Sequence, residues 1–580
     1  MIKFPSLNVL TEHFLQTLIR YKWVVLISLA KVITLIYYTE TSHTEETLRN
    51  ILTRLCYVFF LAVPLTLSIS LFTERRQWKW YVHFGMVMIL TAILTGYYIT
   101  INDVPNQTDF YRFMLFMAGS HLLVSYISFV GFTEANGFWQ FNKTLFLQFL
   151  NAALYSVTLY IGLLIAVETV KFLFNINFLF EIEADLAIFI FTFFHTIFFL
   201  SKIPKNLAEL DLEIDYPIGL KIFTQYVLLP LEVVYLLILY AYTAKILFQW
   251  HLPEGGVAYL VLAFSSTGIL ALLLLYPLRD NIKERWIRLF SHQFYLALLP
   301  LIILLFTGIF RRINDYGITE NRYVVAVLAL WLAGITVYFL AGKRNDIRWI
   351  PITLSIFCFM LAVGPWNIFT VAKRSQINQF QEILKEHKLL NAKNKIEGKA
   401  VLSKKDYNQL FSIVQFFRIR DQSVLTTYFS KLPANYNEKR FSFAMDDYLR
   451  KHISTKQANE LIDYTYFSSG SENVIDIKDF NQMLLFKINN GEDINQTEWK
   501  LVSKDHGKIL DIYRNSNKIV SWNLAKKISE LKIYYGNGSN EVPRDSLSLD
   551  YNDSKNHIRI VLESLSNDNE YYSGEGVLLY

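Results

Sequence analysis

The sequence predicts an all-α polytopic transmembrane helix bundle of about eleven spans, followed by a soluble α+β C-terminal domain. Two observations carry that expectation. Of 580 residues, 53% are hydrophobic and 18% charged, with a mean hydropathy of +0.27, whereas soluble proteins carry about 25% charged residues. The charge is also uneven: residues 1–373 hold 27 Lys and Arg with 23 Asp and Glu, while residues 374–580 hold 29 and 27 in little more than half the length. The step coincides with the end of the last long apolar run, which divides the chain into a transmembrane domain, 1–373, and an extracytoplasmic α+β domain, 374–580.

Composition excludes several classes. An aromatic fraction of 16% is too apolar for disorder. Cys56 and Cys358 both lie in apolar runs and make neither a disulfide framework nor a thiolate zinc site. No metal or cofactor is expected. A net charge of +6 over this length gives no case for nucleic acid.

A spanning helix needs about 20 mostly apolar residues. Runs of that kind lie near 22–39, 51–72, 80–101, 111–132, 145–170, 184–203, 222–248, 257–277, 289–310, 322–341 and 349–372. Cations in short loops orient such a bundle. Glu74–Lys79, Arg279–Arg288 and Lys343–Arg348 follow the second, eighth and tenth runs and are rich in Lys and Arg, whereas Thr39–Arg49 carries three Glu and one Arg. Eleven spans with that bias place the N-terminus in the cytoplasm and the region after Lys373 outside it. Glu12, His13 and Arg20 interrupt any signal-peptide core. Phe4, Leu7, Leu10, Phe14, Leu15 and Leu18 recur at helical spacing, as in a surface-lying amphipathic helix or an extension of the first span.

In the tail, Gln376–Asn391 reads as an amphipathic helix and Ser403 as the start of another that runs through Phe417. His557–Ser564 and Gly576–Tyr580 read as strands. Asp476, Asp479 and Asn481 do not match a calcium loop, and Asn495-Gln496-Thr497 is a three-residue glycosylation pattern common by chance.

Ionisable groups inside spans are costly and are the default suspects for function: Lys31, Arg54, His83, His121, Glu168, His195 and Glu232. Glu232 stands out because it follows Pro230, whose missing N–H and bulky ring disturb the helix beside the carboxylate. With Tyr226, Tyr235 and His195 it forms the candidate intramembrane polar site, for a proton or cation, or else a structural pairing. The histidines lack metal-ligand spacing and read as polar glue between helices. A second candidate is the stretch between the ninth and tenth runs, read as a loop, where Arg311, Arg312, Asp315, Tyr316 and Arg322 could bind an anion, pair locally or dock the C-terminal domain.

The segment Tyr216-Pro217-Ile218-Gly219 through Tyr226, Leu229-Pro230-Leu231, Tyr235 and Leu239-Tyr240-Ala241-Tyr242 resembles a bacterial polytopic family known as domain of unknown function 4153. So does Arg312 to Tyr323 together with Trp331. The resemblance implies a bacterial multi-span envelope protein and transfers no activity or catalytic residue. Phosphate-loop, nucleophile-elbow, zinc-protease and haem-attachment motifs are absent. Three readings follow: a transporter or permease using Glu232; a non-transporting envelope protein whose bundle anchors 374–580 for a protein partner; and an enzyme that grips lipid-linked phosphate with Arg311, Arg312 and Arg322. The lipid bilayer is the partner common to all three.

Overall fold

The computed structural model describes all residues except 1–6, 43, 176–180, 215, 250–255, 280–284, 343–345, 392, 398, 430–452, 456–464, 470–476, 478–479, 489–493, 497, 536–538, 554–556 and 569–570. Phe4, Lys343, Arg344, Asp476, Asp479 and Thr497 therefore lie outside the described residues. The chain divides into two compact units, Met1–Gln379 and Phe380–Tyr580.

Among the described residues of the first unit, ten helices are long and apolar enough to cross a membrane: Lys22–Glu40, Glu46–Arg75, Trp80–Thr100, Gln107–Phe129, Ala135–Phe174, Ile182–Ser201, Ile218–Gln249, Val257–Leu278, Arg285–Tyr316 and Glu320–Ala341. They correspond in order to the first ten apolar runs, and the chain is a multi-span membrane protein. Large apolar side chains point outward from the spans, as with Ile99, Ile165 and Leu237, all more than 50% exposed. Exposure of that kind is sensible only when the solvent is lipid. Polar side chains inside the spans turn back on their own helix. In the second span Ser68 donates to Pro64 O and Ser70 to Thr66 O, at 2.8 and 2.9 Å, which satisfies those hydroxyls within their own helix. Leu7–Arg20 is a helix of its own, separated from the first span at Tyr21, with Phe14, Leu15 and Ile19 exposed.

The eleventh run departs from expectation. Residues 349–372 do not form one helix: a 14-residue helix, Trp349–Ala362, ends before Gly364, which has φ +85°, and Pro365. Glycine takes the left-handed turn and proline cannot donate to the preceding turn. A new helix, Ile368–Glu386, starts where Asn367 Oδ1 accepts the N–H of Phe369 and of Thr370, eight residues earlier than the sequence periodicity indicated. Trp349–Ala362 rises only about 21 Å, short of about 30 Å of hydrocarbon. It nevertheless runs antiparallel to the fourth span, and the start of the next helix continues the contact at Phe369. Arg348 donates to the carbonyls of Phe129 and Phe132, Ser355 to Gly119 O at 2.9 Å, Phe359 packs on Phe116, and Arg112 lies 5.3 Å from the Phe369 ring.

Polar ties join loops of equal parity. On one face Arg20 holds Glu74 and the carbonyls of Ile203 and Pro204, Arg75 pairs with Glu134, Arg76 donates to Val130 O, and Arg348 donates to the carbonyls of Phe129 and Phe132. On the other, Arg54 meets Asp103 at 2.9 Å, Asn102 bonds the buried Asp109, and Lys171 pairs with Glu183. The long-range ties, Arg20–Glu74, Arg75–Glu134 and Arg54–Asp103, join ends that up-and-down threading brings to one side, while Asn102–Asp109 and Lys171–Glu183 are local to one connection.

The second unit is α+β. Helix Lys404–Arg420 begins where Ser403 Oγ accepts the Asp406 N–H, at 3.1 Å. Strands β1 (Ala400–Leu402) and β2 (Ile453–Thr455) pair in parallel. A six-stranded sheet contains β3 (Thr465–Ser469), β4 (Met483–Ile488), β9 (Ser539–Val542), β10 (Ser548–Asn552), β11 (His557–Asp568) and β12 (Tyr571–Leu579). It runs β4-β12-β11-β3-β9, with β10 also on β11. A four-stranded meander joins β5 (Ile494–Gln496), β6 (Trp499–Lys504), β7 (Ile509–Arg514) and β8 (Asn517–Asn523). Alternation sets which face is inside: in β4, Leu484, Phe486 and Ile488 are buried between exposed Met483, Leu485 and Lys487. They join Phe467, Trp499 and Ile528 of helix Leu524–Tyr535 in one core.

One charge is built into the meander. Asp511 of β7 is 1% exposed, with Lys504 at 2.8 Å, Lys518 at 2.7 Å and the Ser521 hydroxyl at 2.6 Å. Burial alone would raise its pKa, but hydrogen bonds from Lys504, Lys518 and Ser521 override that and hold the carboxyl well below its ordinary range. A depressed folded pKa adds stability above the unfolded value of about 3.9, and that stability is lost as pH falls through the folded one. Asp511→Asn should cost about 1.5–3 kcal/mol at pH 7, read as faster amide hydrogen exchange across β6–β8. The difference from the parent should shrink below about pH 4; equal exchange at pH 7 would refute the assignment.

Candidate functional site

The seventh span is not a uniform helix. Ile218–Phe223 is α-helical, Thr224–Leu228 widens into a π-turn, and Leu229–Gln249 resumes the α-helix. Pro230 explains the break: it brings no N–H and its ring crowds the carbonyl one turn back, which a π-turn relieves by adding a residue. The break leaves Glu232 near the middle of the span, with its side chain on the bundle side. The residue is 3% exposed.

The Glu232 carboxylate meets the eighth and ninth spans. The Thr267 side chain lies beside it, its hydroxyl donating to the carbonyls of Ala263 and Phe264 at 3.0 Å. Oε2 has no hydrogen-bond partner among the described residues, and no basic group there lies within ion-pair distance of it. Gly268 makes the room. A Cβ on that residue would overlap the Phe294 ring and come 3.2 Å from Glu232 Oε2. Beside the carboxylate opens a cleft of about 560 Å³, walled by Tyr226, Phe264, Trp286, Phe290 and Phe294, with Gln225 and Gln293 contributing polar groups. It is an apolar, aromatic hollow with one buried acid.

Of the residues grouped with Glu232 from sequence, Tyr226 lines this cleft and Tyr235 and His195 do not. Tyr235 is 48% exposed on the outer side of the helix. His195 sits in the sixth span, after a second π-turn at Phe189–Phe194, with its ring 5.1 Å from that of Phe149. The remaining intramembrane suspects have separate surroundings. Lys31 is buried, with its ammonium 4.9 Å from the Phe60 ring. His83 shares a hydrogen bond with Thr73 at 2.8 Å, joining the third span to the second. His121 bonds the Met117 carbonyl one turn back, and Glu168 pairs with Lys171 at 3.0 Å. No cluster of three or more metal-ligating side chains occurs among the described residues.

The cationic stretch after the ninth span is not a loop. The ninth helix continues through Tyr316, and the tenth begins at Glu320. Arg311, Arg312 and Asp315 are therefore helical, and Arg311 lies 3.8 Å from Asp315 one turn on. Gly317, at φ +70°, closes the helix with its N–H on Ile313 O, a left-handed cap. Arg322 then donates to Tyr316 O and Gly317 O at 3.0 and 2.9 Å, and lies 5.4 Å from the Tyr316 ring. Gln376 donates to the carbonyls of Tyr316 and Ile318. This geometry is that of a helix corner whose end carbonyls are satisfied by Arg322 and Gln376.

The residues that sequence reasoning missed are Thr267, Gly268, Trp286, Phe290 and Phe294. Trp286, Phe290 and Phe294 recur every fourth residue, which puts them on one helix face, and that spacing was a usable signal. Nothing in the sequence joins that face to Glu232.

The family model described as "Domain of unknown function (DUF4153)" matches residues 26–393, which include the whole cleft. An uncharacterized protein of Pasteurella multocida (strain Pm70), PM1469, is 29% identical over 239 residues, 40% of this chain and 40% of its own length. The chain thus aligns with less than half of that relative. No solved structure matches.

Gly268→Ala should overpack the site by about 1–3 kcal/mol, lowering the thermal midpoint in detergent. Adding Phe294→Leu should recover part of the loss. Unchanged stability of Gly268→Ala would mean that the three spans do not meet closely there.

Proposed function

Because the chain belongs to a family described only as a domain of unknown function, we propose its role from its own residues: a permease-like transporter that uses Glu232 as its proton- or cation-binding group. The observation that carries this reading is the unpartnered Oε2 of a buried carboxylate, at a proline and π-turn break, on the wall of an open cleft. A bare carboxylate in an apolar site is expensive. Taking up a proton or cation removes that cost, and releasing it restores it, so occupancy of Glu232 and the packing of the broken helix are coupled. π-turns concentrate at functional sites.

The same reading places the protein in the bacterial inner membrane, with the cation-rich loops at Arg75, Arg76 and Arg348 inside. The contacts of Trp349–Phe369 along the fourth span support an eleventh, partly extended crossing, which would put the second unit outside. A second reading, a bundle that anchors 380–580 for an envelope protein partner, is favoured by one feature: β4 stands at a sheet edge with Met483 and Leu485 exposed, and edge strands are templates for pairing.

In proteoliposomes loaded with a pH-sensitive dye, an external acid pulse should enter at least about tenfold faster than in protein-free vesicles. Glu232→Gln should remove that increment, while Tyr235→Phe keeps it. An increment unchanged in Glu232→Gln would refute Glu232 as the coupling group.

A further inference from the structure

We propose that the cleft beside Glu232 takes a lipophilic organic cation, with its positive charge on the carboxylate and its apolar body among the aromatic walls. This rests on the reading of Glu232 as a binding group and adds the chemical class of what it binds.

Charge complementarity is the first argument. The hollow has one charged group on its wall, a carboxylate with an unpartnered oxygen, and no described cation facing it. An anionic ligand would meet an acid with nothing to offset it. A neutral lipid tail would fill the walls and leave the acid unsatisfied.

The walls argue for an organic cation over an alkali ion. A hard cation needs about six oxygen ligands to replace its water. The side chains lining the cleft offer oxygens from Glu232, Gln225, Gln293 and Tyr226 only, while Tyr226, Phe264, Trp286, Phe290 and Phe294 contribute rings. Aromatic faces attract diffuse cations, and the attraction is stronger where water is excluded. The volume of about 560 Å³ suits a drug-sized molecule, within the usual range of about 300–1,000 Å³. Tyr226 and Trp286 are 69% and 73% exposed, so the mouth opens toward the side from which a lipid-dissolved ligand would enter.

The experiment is equilibrium binding of radiolabelled methyltriphenylphosphonium to the full-length chain in nanodiscs. Saturable binding is expected, at least about tenfold weaker in Glu232→Gln and also in Ala297→Phe, which fills the cleft but keeps the acid. Both variants are checked for unchanged helicity and a monodisperse profile. Should Glu232→Gln fail that check, Ala297→Phe and competition carry the test alone: binding should weaken at low pH, where protons compete, and resist 100 mM sodium. Tetraphenylborate, of similar shape and opposite charge, should show no saturable binding. Equal binding by the parent and the cleft-filled variant, saturable tetraphenylborate binding, or displacement by sodium would each overturn the proposal. Glu232-dependent proton entry without phosphonium binding would refute this inference and leave the transporter reading standing. Glu232-dependent phosphonium binding without Glu232-dependent proton entry would do the reverse.

Discussion

Hydrocarbon offers no hydrogen bonds, so each polar group at membrane depth must find its partner within the protein. Most of the bundle obeys this by regular helices, with Ser and Thr side chains folded onto carbonyls of their own turn. Charged groups are drawn to the ends of the spans, where Arg20, Arg54, Arg75 and Arg348 tie separate connections together. The seventh span combines two departures from that pattern. Pro230 forces a π-turn, and two residues later a buried acid keeps one oxygen without a partner. A second π-turn lies at Phe189–Phe194 and other buried oxygens, such as Asp185 Oδ1, lack a partner among the described residues, but at Glu232 a helix break and an unsatisfied carboxylate coincide on the wall of a cleft, which is why function is sought there.

Much of the architecture was legible in the sequence because it rests on length and hydropathy. Ten of eleven apolar runs are spans in the expected order. The eleventh failed on local chemistry that hydropathy does not weigh: Gly364-Pro365 stops the helix, and Asn367 starts another. The strands β11 and β12 were visible from alternation and turn residues; the meander β5–β8 was missed although its pairings are between consecutive strands, with Asp505-His506-Gly507 and Asn515-Ser516 as its turn residues. The arginine-rich stretch was misread as a loop because its turn is only Gly317 to Thr319; Arg311 and Arg312 belong to the helix before it.

The site was half legible. Proline before an intramembrane glutamate identified Glu232 correctly as a buried acid, and Tyr226 shares its cleft. Tyr235 failed because, although one turn beyond Glu232, it is 48% exposed and does not line the cleft, and His195 because residues on different spans have no sequence-level distance. The walls came from the ninth span through its fourfold aromatic spacing, and the space from Gly268, whose importance lies in what a side chain there would displace. A family match over 26–393 carries no activity with it, so the functional argument stands on this geometry.

The account depends on lipid being the solvent around the spans, Leu237 of the seventh included. The most direct measurement is electron paramagnetic resonance of a nitroxide at Leu237→Cys, with Cys56 and Cys358 replaced, in reconstituted bilayers. Oxygen, which partitions into hydrocarbon, should relax the label strongly, and a water-soluble nickel chelate should have little effect. The opposite pattern, strong relaxation by the chelate and weak relaxation by oxygen, would contradict a membrane-embedded seventh span and the buried acid site built on it.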